Sequence, residues 1–231
     1  MRGDVAAIVP AAGLGARFGG RTRKPFAVVG RHPLLAHTLR ALERSAAVRW
    51  IVVVVRPEEC AKAQRLLVRY RIRKAMLVSP GGASRAGSVA RGFAHLPRGA
   101  RWVLVHDGAR PCVSAALIER TVREAKRWGA AACGLPASLT VKSVDARGWV
   151  RATLRRDALW LAQTPQVFRR ALFAKALART RRRWDTFPDD ASLVEAAGGR
   201  VRMVMGDPLN LKVTTPKDVV LAGAILKGAV R

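Results

Sequence analysis

Strand-length apolar runs alternate with amphipathic segments of helical length through the first half of the chain, and this alternation limits the folds available to it. The apolar runs cover residues 5–9, 50–55, 75–79 and 102–106. The helix-length segments cover residues 33–46, 57–71, 84–95 and 114–128. Strands that alternate with amphipathic helices form parallel sheets with helices on both faces. The sequence therefore predicts an α/β fold built on a doubly wound, mostly parallel sheet.

Three of the predicted helices have suitable residues at their starts. Ser84 and Ser114 stand where an N-cap side chain would accept a backbone hydrogen bond. Thr215 is followed by Pro216, the order of a cap and a first-turn proline, ahead of a helix predicted to run to about Lys227. Local sequence and apolar periodicity thus indicate the same helix boundaries.

The pattern changes between residues 139 and 155. Two β-rich runs, 140–144 and 149–154, flank the glycine-containing sequence DARG at 145–148, which predicts a β-hairpin. On a hairpin that projects from the sheet, apolar side chains such as that of Trp149 are exposed unless a second copy of the chain covers them. We therefore expect a hairpin arm at about 139–155 and a homodimer.

Length and composition exclude several classes of protein. The 231 residues are 50% hydrophobic, and no linker-like stretch divides them, so we expect one domain spanning residues 1–231. No apolar run approaches the roughly 20 residues that a membrane-spanning helix requires. The N-terminal residues lack the pattern of a signal peptide. We expect a cytoplasmic protein that does not act at a membrane.

The net charge is strongly positive, because 43 Lys and Arg residues face 15 Asp and Glu residues, giving +28. Such a field attracts nucleotides and nucleic acids alike. A nucleic-acid-binding protein is the less favoured reading, because aromatic residues make up only 6% of the chain and no helix-turn-helix, zinc-finger or RNP motif is present. Composition alone does not show what the large positive charge is used for.

A glycine loop follows the first predicted strand, with the sequence PAAGLGAR at residues 10–17 and a lysine, Lys24, seven residues later. Gly13 and Gly15 allow successive backbone N–H groups to converge on phosphate oxygens. Phe18 occupies the position of the third glycine in a dinucleotide-binding motif, and no GK[ST] sequence follows. The loop therefore predicts a nucleotide site that is neither a Rossmann dinucleotide site nor a P-loop.

A second segment, VLVHDGARP at residues 103–111, resembles the signature of the 2-C-methyl-D-erythritol 4-phosphate cytidylyltransferases. Four further segments agree with that family in order: GGASRAGSV at 81–89, TPQVF at 164–168, DDAS at 189–192 and NLKVTTPKD at 210–218. The resemblance covers nearly the whole chain. It implies the Rossmann-like fold of the sugar nucleotidyltransferases with a projecting dimerisation hairpin, which is also what the periodicity predicts.

The resemblance further implies a role for individual residues. The CTP triphosphate would be wrapped by Pro10, Ala11, Ala12, Gly13 and Gly15. The cytosine base and the ribose would be bound by Gly82, Arg85 and Ser88. Charge at the α-phosphate would be neutralised by Arg17, Lys24 and Lys212. The acceptor, a polyol phosphate, would contact Arg110, Thr140, Arg156 and Thr164. Asp107 would lie beside the ribose and a Mg²⁺ ion, and Arg156 would reach into the site of the partner subunit.

Two positions depart from the family pattern. Leu139 and Leu209 stand where family members usually carry an acidic residue. Either Asp207 and its neighbours replace these carboxylates, or the acceptor substrate is another polyol phosphate such as ribitol 5-phosphate. A site without those two carboxylates cannot accept hydrogen bonds from the same hydroxyl groups. His106, at the end of a buried strand, is expected to be a core histidine and not a catalytic base.

The implied reaction is attack of an acceptor phosphate oxygen on the α-phosphorus of CTP, with release of pyrophosphate. An ionised phosphate is already a nucleophile, so alignment and charge stabilisation are the contributions required of the protein. The sequence contains no Ser/His/Asp arrangement of the kind used in covalent catalysis, and none is needed. We therefore predict a Mg²⁺-dependent cytidylyltransferase.

Overall fold

The computed structural model describes residues 3–13, 18, 23–82 and 84–229. In this part of the chain the strands are β1 (Val5–Pro10), β2 (Val28–Val29), β3 (His32–Pro33), β4 (Val48–Val55), β5 (Ala75–Pro80), β6 (Trp102–Val105), β7 (Ala130–Pro136), β8 (Val141–Val144), β9 (Val150–Leu154), β10 (Trp160–Arg169) and β11 (Arg202–Met205). The α-helices are α1 (Leu34–Arg44), α2 (Cys60–Arg69), α3 (Arg85–Ala94), α4 (Ala115–Trp128), α5 (Arg170–Thr180), α6 (Asp190–Ala196) and α7 (Pro216–Leu226).

A seven-stranded sheet forms the centre of the fold, in the order β11-β7-β10-β6-β1-β4-β5. Its strands pair in parallel except for β10, which is antiparallel to both β6 and β7. The sheet is therefore mostly parallel, as predicted. Strand β10 lies within the sheet, between β7 and β6, and runs in the opposite direction to both.

Strand β1 shows why the sheet is covered on both faces. Val5, Ala7 and Val9 are buried in a cluster with residues of α1, α2 and α4. Ala6 and Ile8 are buried in a second cluster with residues of α3, α5 and α6. Alternate side chains of a strand point to opposite faces, so a strand with five consecutive buried apolar residues requires helices on both sides. This confirms the doubly wound prediction.

The predicted N-caps Ser84, Ser114 and Thr215 are confirmed. The Ser84 side chain accepts a hydrogen bond from the Gly87 N–H at 3.0 Å, and Ser114 accepts one from Leu117 at 3.2 Å. Helix α2 begins later than predicted, because residues Pro57–Glu59 form a 3₁₀ turn before it. Among the described residues, no helix has the length and apolarity needed to cross a membrane.

The predicted hairpin is present as the antiparallel pair β8 and β9. Its turn is closed by the Asp145 carboxylate, which accepts hydrogen bonds from the N–H groups of Arg147 and Trp149 at 2.9 and 3.0 Å. Gly148 has a φ of +87°, a conformation that favours glycine. The Trp149 side chain is 73% exposed. That a second copy covers it remains a prediction.

The carboxyl ends of β1, β4 and β6 meet at one edge of the sheet. There the Ala11 N–H donates to the Val54 carbonyl at 2.6 Å, and the Gly108 N–H donates to the Pro10 carbonyl at 3.1 Å. Ligands of open α/β sheets bind in crevices outside the carboxyl ends of the strands. This edge carries the residues that the sequence predicts for the nucleotide site.

Candidate active site

A cavity of about 280 Å³ opens at this edge of the sheet. Among its lining residues are most of those predicted to bind CTP or to neutralise its phosphates: Pro10, Ala11, Ala12, Gly13, Lys24, Gly82, Arg85, Ser88, Asp107 and Lys212. The remaining two, Gly15 and Arg17, lie outside the described residues. The structure thus brings together segments that lie up to about 200 residues apart in sequence.

The wall at Gly82 is packed too closely for a side chain. A Cβ atom at Gly82 would lie 2.8 Å from the carbonyl carbon of Gly87. The Gly82 N–H donates to the Ser88 hydroxyl at 3.1 Å, and that hydroxyl donates to the Ser84 carbonyl at 3.0 Å. Ser88 therefore orders the loop that lines the cavity, and only its remaining lone pair is available to a ligand.

Lys24 enters the cavity from a 3₁₀ turn, Lys24–Phe26. On one side of it, Nε of Arg23 donates to the buried carboxylate of Glu59 at 3.0 Å. On the other side, the Lys62 ammonium lies 4.4 Å from the centre of the Phe26 ring, within cation–π range. Two interactions with the start of α2 therefore hold the lysine-bearing turn. The sequence analysis assigned no role to Glu59 or Lys62.

Asp107 is the centre of a charged cluster. Its Oδ1 accepts hydrogen bonds from Nη2 and Nε of Arg85 at 3.0 and 3.3 Å, and its Oδ2 lies 2.7 Å from Nζ of Lys212 and 3.8 Å from Nε of Arg110. Burial alone would raise the pKa of the Asp107 carboxyl, but the three cations outweigh burial and hold that pKa well below its usual range. Asp107 is therefore an ionised carboxylate.

A second cavity, of about 230 Å³, adjoins the first. Its lining residues are Arg85, Asp107, Arg110, Ala162, Gln163, Thr164, Gln166, Pro188, Asp189 and Lys212. Arg85, Asp107 and Lys212 also line the first cavity, so these three residues form a wall common to both. Two residues predicted to bind the acceptor, Arg110 and Thr164, lie here.

A buried network connects β6, β10 and the loop before α7. The Thr164 hydroxyl accepts from the Asp107 N–H at 3.1 Å and lies 3.0 Å from Nδ1 of His106. Nε2 of His106 lies 3.2 Å from the Arg110 carbonyl, so Nε2 carries the proton and Thr164 donates to Nδ1. Burial lowers the pKa of His106 to about 4. His106 is therefore a neutral core histidine, as predicted.

Asn210 connects the same network to the second cavity. Its Nδ2 donates to the Thr164 carbonyl at 2.8 Å, and its own carbonyl accepts from Nη1 of Arg110 at 2.7 Å. Asn210 thus fixes both of the predicted acceptor-binding residues that this chain contributes to the cavity.

Thr140 and Arg156 are not brought to either cavity of their own chain. Both are exposed and lie beside the hairpin. Nη1 of Arg156 donates to the Ser138 carbonyl at 2.6 Å, which ties this arginine to the base of the arm. Their contact with the site of a partner subunit remains a prediction.

Asp207 lies beside Leu209, one of the two departures from the family pattern. Leu139 is 79% exposed, and Oδ1 of Asp207 accepts the N–H of Leu209 at 2.8 Å. Asp207 is not among the described residues that line the second cavity. Beside Asp107, the carboxylate in that lining is the one of Asp189.

Asp190 has no role in the sequence analysis, although it belongs to the DDAS segment. It is fully buried, and its Oδ2 lies 2.8 Å from Nη1 of Arg85. Gln166 places it, because Oε1 of this side chain accepts the N–H groups of Asp190 and Ala191 at 3.1 and 2.9 Å. The signal in the sequence is a pair of adjacent carboxylates at the start of a helix whose other residues are largely apolar.

The Mg²⁺ ion that the resemblance implies would be held mainly by substrate. No group of three or more His, Cys, Asp or Glu side chains among the described residues could hold a metal ion. Mg²⁺ commonly binds through one or two carboxylates together with phosphate oxygens and water. Asp107 is an ionised carboxylate on the wall common to both cavities, so the residues present fit a metal bound together with phosphate.

Comparison with known proteins shows which family the chain resembles. The family model of 2-C-methyl-D-erythritol 4-phosphate cytidylyltransferase (IspD) matches residues 5–228. The enzyme of that name from Desulforamulus reducens is 43% identical over 226 residues, which cover 97% of this chain and 97% of the relative. The one from Pelotomaculum thermopropionicum is 42% identical and covers 96% of this chain and 94% of its own length.

A solved structure agrees as well. The crystal structure of 2-C-methyl-D-erythritol 4-phosphate cytidylyltransferase from Thermus thermophilus superposes with a TM-score of 0.78 at 34% identity, covering 95% of this chain and 98% of the other. Fold and sequence thus lead to the same group of enzymes. The chain belongs to the 2-C-methyl-D-erythritol 4-phosphate cytidylyltransferase family.

Proposed function

We propose that this chain transfers the cytidylyl group of CTP to the phosphate of 2-C-methyl-D-erythritol 4-phosphate, forming 4-diphosphocytidyl-2-C-methyl-D-erythritol and pyrophosphate. The observation that supports this most strongly is the wall of Arg85, Asp107 and Lys212 shared by two adjacent cavities. Two phosphorylated substrates bound on either side of this wall would meet beside the positively charged side chains of Arg85 and Lys212. Membership of the family supports the choice of both substrates.

CTP would occupy the cavity lined by the glycine loop. The backbone from Pro10 to Gly13, with Gly15 beyond it, would wrap the triphosphate, because close backbone approach allows N–H groups to bind phosphate oxygens. Gly82 and Arg85 would bind the base and ribose, and Ser88 would hold the Gly82 loop in place and offer its remaining lone pair. Asp107, which is paired with Arg85, would contact the ribose from the same wall.

The chemical step is a single displacement at phosphorus. An oxygen of the acceptor phosphate forms a bond to the α-phosphorus of CTP, and the bond from that phosphorus to the oxygen bridging to the β-phosphate breaks. Lys24 and Lys212, with Arg17, stabilise the negative charge of the transition state. The main contribution of the protein is to hold CTP and the acceptor phosphate, which repel each other, in line for attack. The nucleophile needs no deprotonation.

Asp107 and phosphate oxygens would hold Mg²⁺. When bound, this ion supplies positive charge at the phosphates. Lys212 in the present structure is paired with Asp107 at 2.7 Å, and its side chain is 40% exposed. Movement of the Lys212 ammonium from Asp107 to an incoming phosphate would place its charge at the α-phosphorus.

The acceptor would bind in the second cavity through Arg110 and Thr164, and the partner subunit would complete it with Thr140 and Arg156. The exposed hairpin and its apolar side chains support a homodimer of this kind. We further propose that residues 1–231 form one domain and that the enzyme acts in the cytoplasm.

A pyrophosphate-release assay tests the proposed substrates. The four ribonucleoside triphosphates are each combined with 2-C-methyl-D-erythritol 4-phosphate or ribitol 5-phosphate, with Mg²⁺ and with EDTA. We expect release from CTP and the erythritol phosphate that EDTA abolishes. Equal turnover of ATP or UTP would contradict the base site, and faster turnover of ribitol 5-phosphate would show that Leu139 and Leu209 mark a different acceptor.

A further inference from the structure

Arg85 has two carboxylate partners, and they differ in their relation to the cavities. Asp107 lines both cavities, whereas Asp190 lines neither of them and is fully buried. Nη2 and Nε of Arg85 contact Asp107 at 3.0 and 3.3 Å, and Nη1 contacts Asp190 at 2.8 Å. The guanidinium group is therefore held from two directions where the cavities meet.

The Asp190 carboxylate has little else to interact with. Among the described residues, the sole side chain that its carboxylate contacts in an ion pair is that of Arg85, at 2.8 Å. Burial raises the pKa of this carboxyl, and Arg85 opposes that effect. A buried ion pair contributes little to stability compared with apolar residues of similar size. Stability alone does not account for a carboxylate at this position.

The start of α6 holds Asp190 rigidly. Its backbone N–H donates to Oε1 of Gln166, and Nε2 of the same glutamine donates to the Asp189 carboxylate at 2.8 Å. Gln166 itself is paired within the sheet, opposite Val105 of β6. The carboxylate therefore has a fixed position relative to the strand that leads to Asp107.

The charges explain what this fixed carboxylate would do. Arg85, Arg110 and Lys212 all surround Asp107. If Arg85 had no second partner, its whole charge would fall on Asp107, in competition with Lys212 and with any cation that enters with the nucleotide. Asp190 takes one side of the guanidinium and keeps it on the wall of both cavities.

From this geometry we infer that Asp190 is a positioning residue, which holds Arg85 so that the nucleotide and acceptor cavities are both formed. The inference rests on the proposed function, since CTP and a polyol phosphate are the ligands whose binding it governs. It adds to the reaction a residue that touches neither substrate.

The test compares Asp190→Asn with the wild-type enzyme, because asparagine keeps the size and the acceptor oxygen but removes the charge. We expect kcat/KM to fall by about tenfold or more, the lower end of the loss seen when partners that orient metal-binding side chains are removed. We also expect calorimetry to show weaker binding of CTP alone. Ser192→Ala is the matched control. Its hydroxyl contacts the Asp189 carbonyl in the same turn at 2.8 Å, and its loss should change neither quantity by more than about twofold.

A double-mutant cycle separates positioning from a general effect on folding. In an Arg85→Met background, Asp190→Asn should change kcat/KM by less than about twofold, because its effect passes through Arg85. Should Asp190→Asn fold poorly, Arg85→Met combined with Asp190→Leu removes both charges. That pair should fold as stably as wild type and be as slow as Arg85→Met alone.

Three results would overturn the inference: wild-type kinetics in Asp190→Asn, an equal further loss in the Arg85→Met background, or wild-type turnover in the charge-free double variant. Failure of the proposed function is distinguishable from these, because the wild-type protein itself would then not release pyrophosphate from CTP.

Discussion

Lys24→Ala is expected to lower kcat by about two orders of magnitude or more, the size of effect seen when one charge-stabilising donor is removed from an active site. Lys24 lines the first cavity from a turn that Glu59 and Lys62 hold in place. The turn therefore fixes where the lysine enters the cavity. A charge that acts in the transition state affects kcat more than substrate binding. Arg17→Ala is expected to behave in the same way. The measurement is kcat at saturating concentrations of both substrates.

Lys175→Ala provides the matched control for charge and fold. Lys175 is exposed on α5 and does not line either cavity, so its loss lowers the net charge equally and should leave kcat unchanged. Thermal unfolding of all three variants should coincide with that of wild type. If both Lys24→Ala and Arg17→Ala retain the wild-type kcat, neither residue belongs to the mechanism.

Mixing two inactive variants is expected to restore about a quarter of the wild-type activity. Lys24 lines the cavity of its own chain, whereas Arg156 is exposed and bound to the base of the hairpin by the Ser138 carbonyl. In a dimer that joins a Lys24→Ala chain to an Arg156→Ala chain, the site of the first chain contains both substitutions. The site of the second chain contains neither of them. Random reassembly makes about half of the dimers hybrids, each with one intact site of two.

The experiment requires that each variant homodimer is nearly inactive and that subunit exchange is demonstrated, for example with a tag on one of the variants. Activity near a quarter of wild type would place Arg156 in the partner's site. No recovery after proven exchange would place Arg156 in the site of its own chain or outside the mechanism.

The parallel half of the fold is predictable from sequence because its strands are apolar enough to be recognised locally. Strand β4, with the sequence VRWIVVVV, is an example. Strands β7 and β10 are different: β7 has the sequence AAACGLP, which contains few residues that favour strands, and β10 contains Pro165 and two buried glutamines. Strand β7 depends on pairing with β10 and β11, and β10 depends on pairing with β7 and β6, which local patterns do not reveal.

The site divides in a similar way. The glycine loop and Lys24 can be found by the chemistry of their residue types, and Arg110 and Thr164 by resemblance. The residues that position these side chains cannot be found from the sequence in either way. Asp190 lies 83 residues beyond Asp107, and the two carboxylates are linked only through Arg85. Such a connection depends on the packing of α6 against β10, which no spacing in the sequence encodes.

The central claim is that an oxygen of the acceptor phosphate forms the new bond to the α-phosphorus of CTP, across the wall that the two cavities share. Its most direct test uses 2-C-methyl-D-erythritol 4-phosphate with ¹⁸O in the non-bridging phosphate oxygens, and mass spectrometry of both products. The account predicts that all of the label appears in the cytidine diphosphate product and none in pyrophosphate. Label in pyrophosphate, or no labelled cytidine product from CTP, would contradict it.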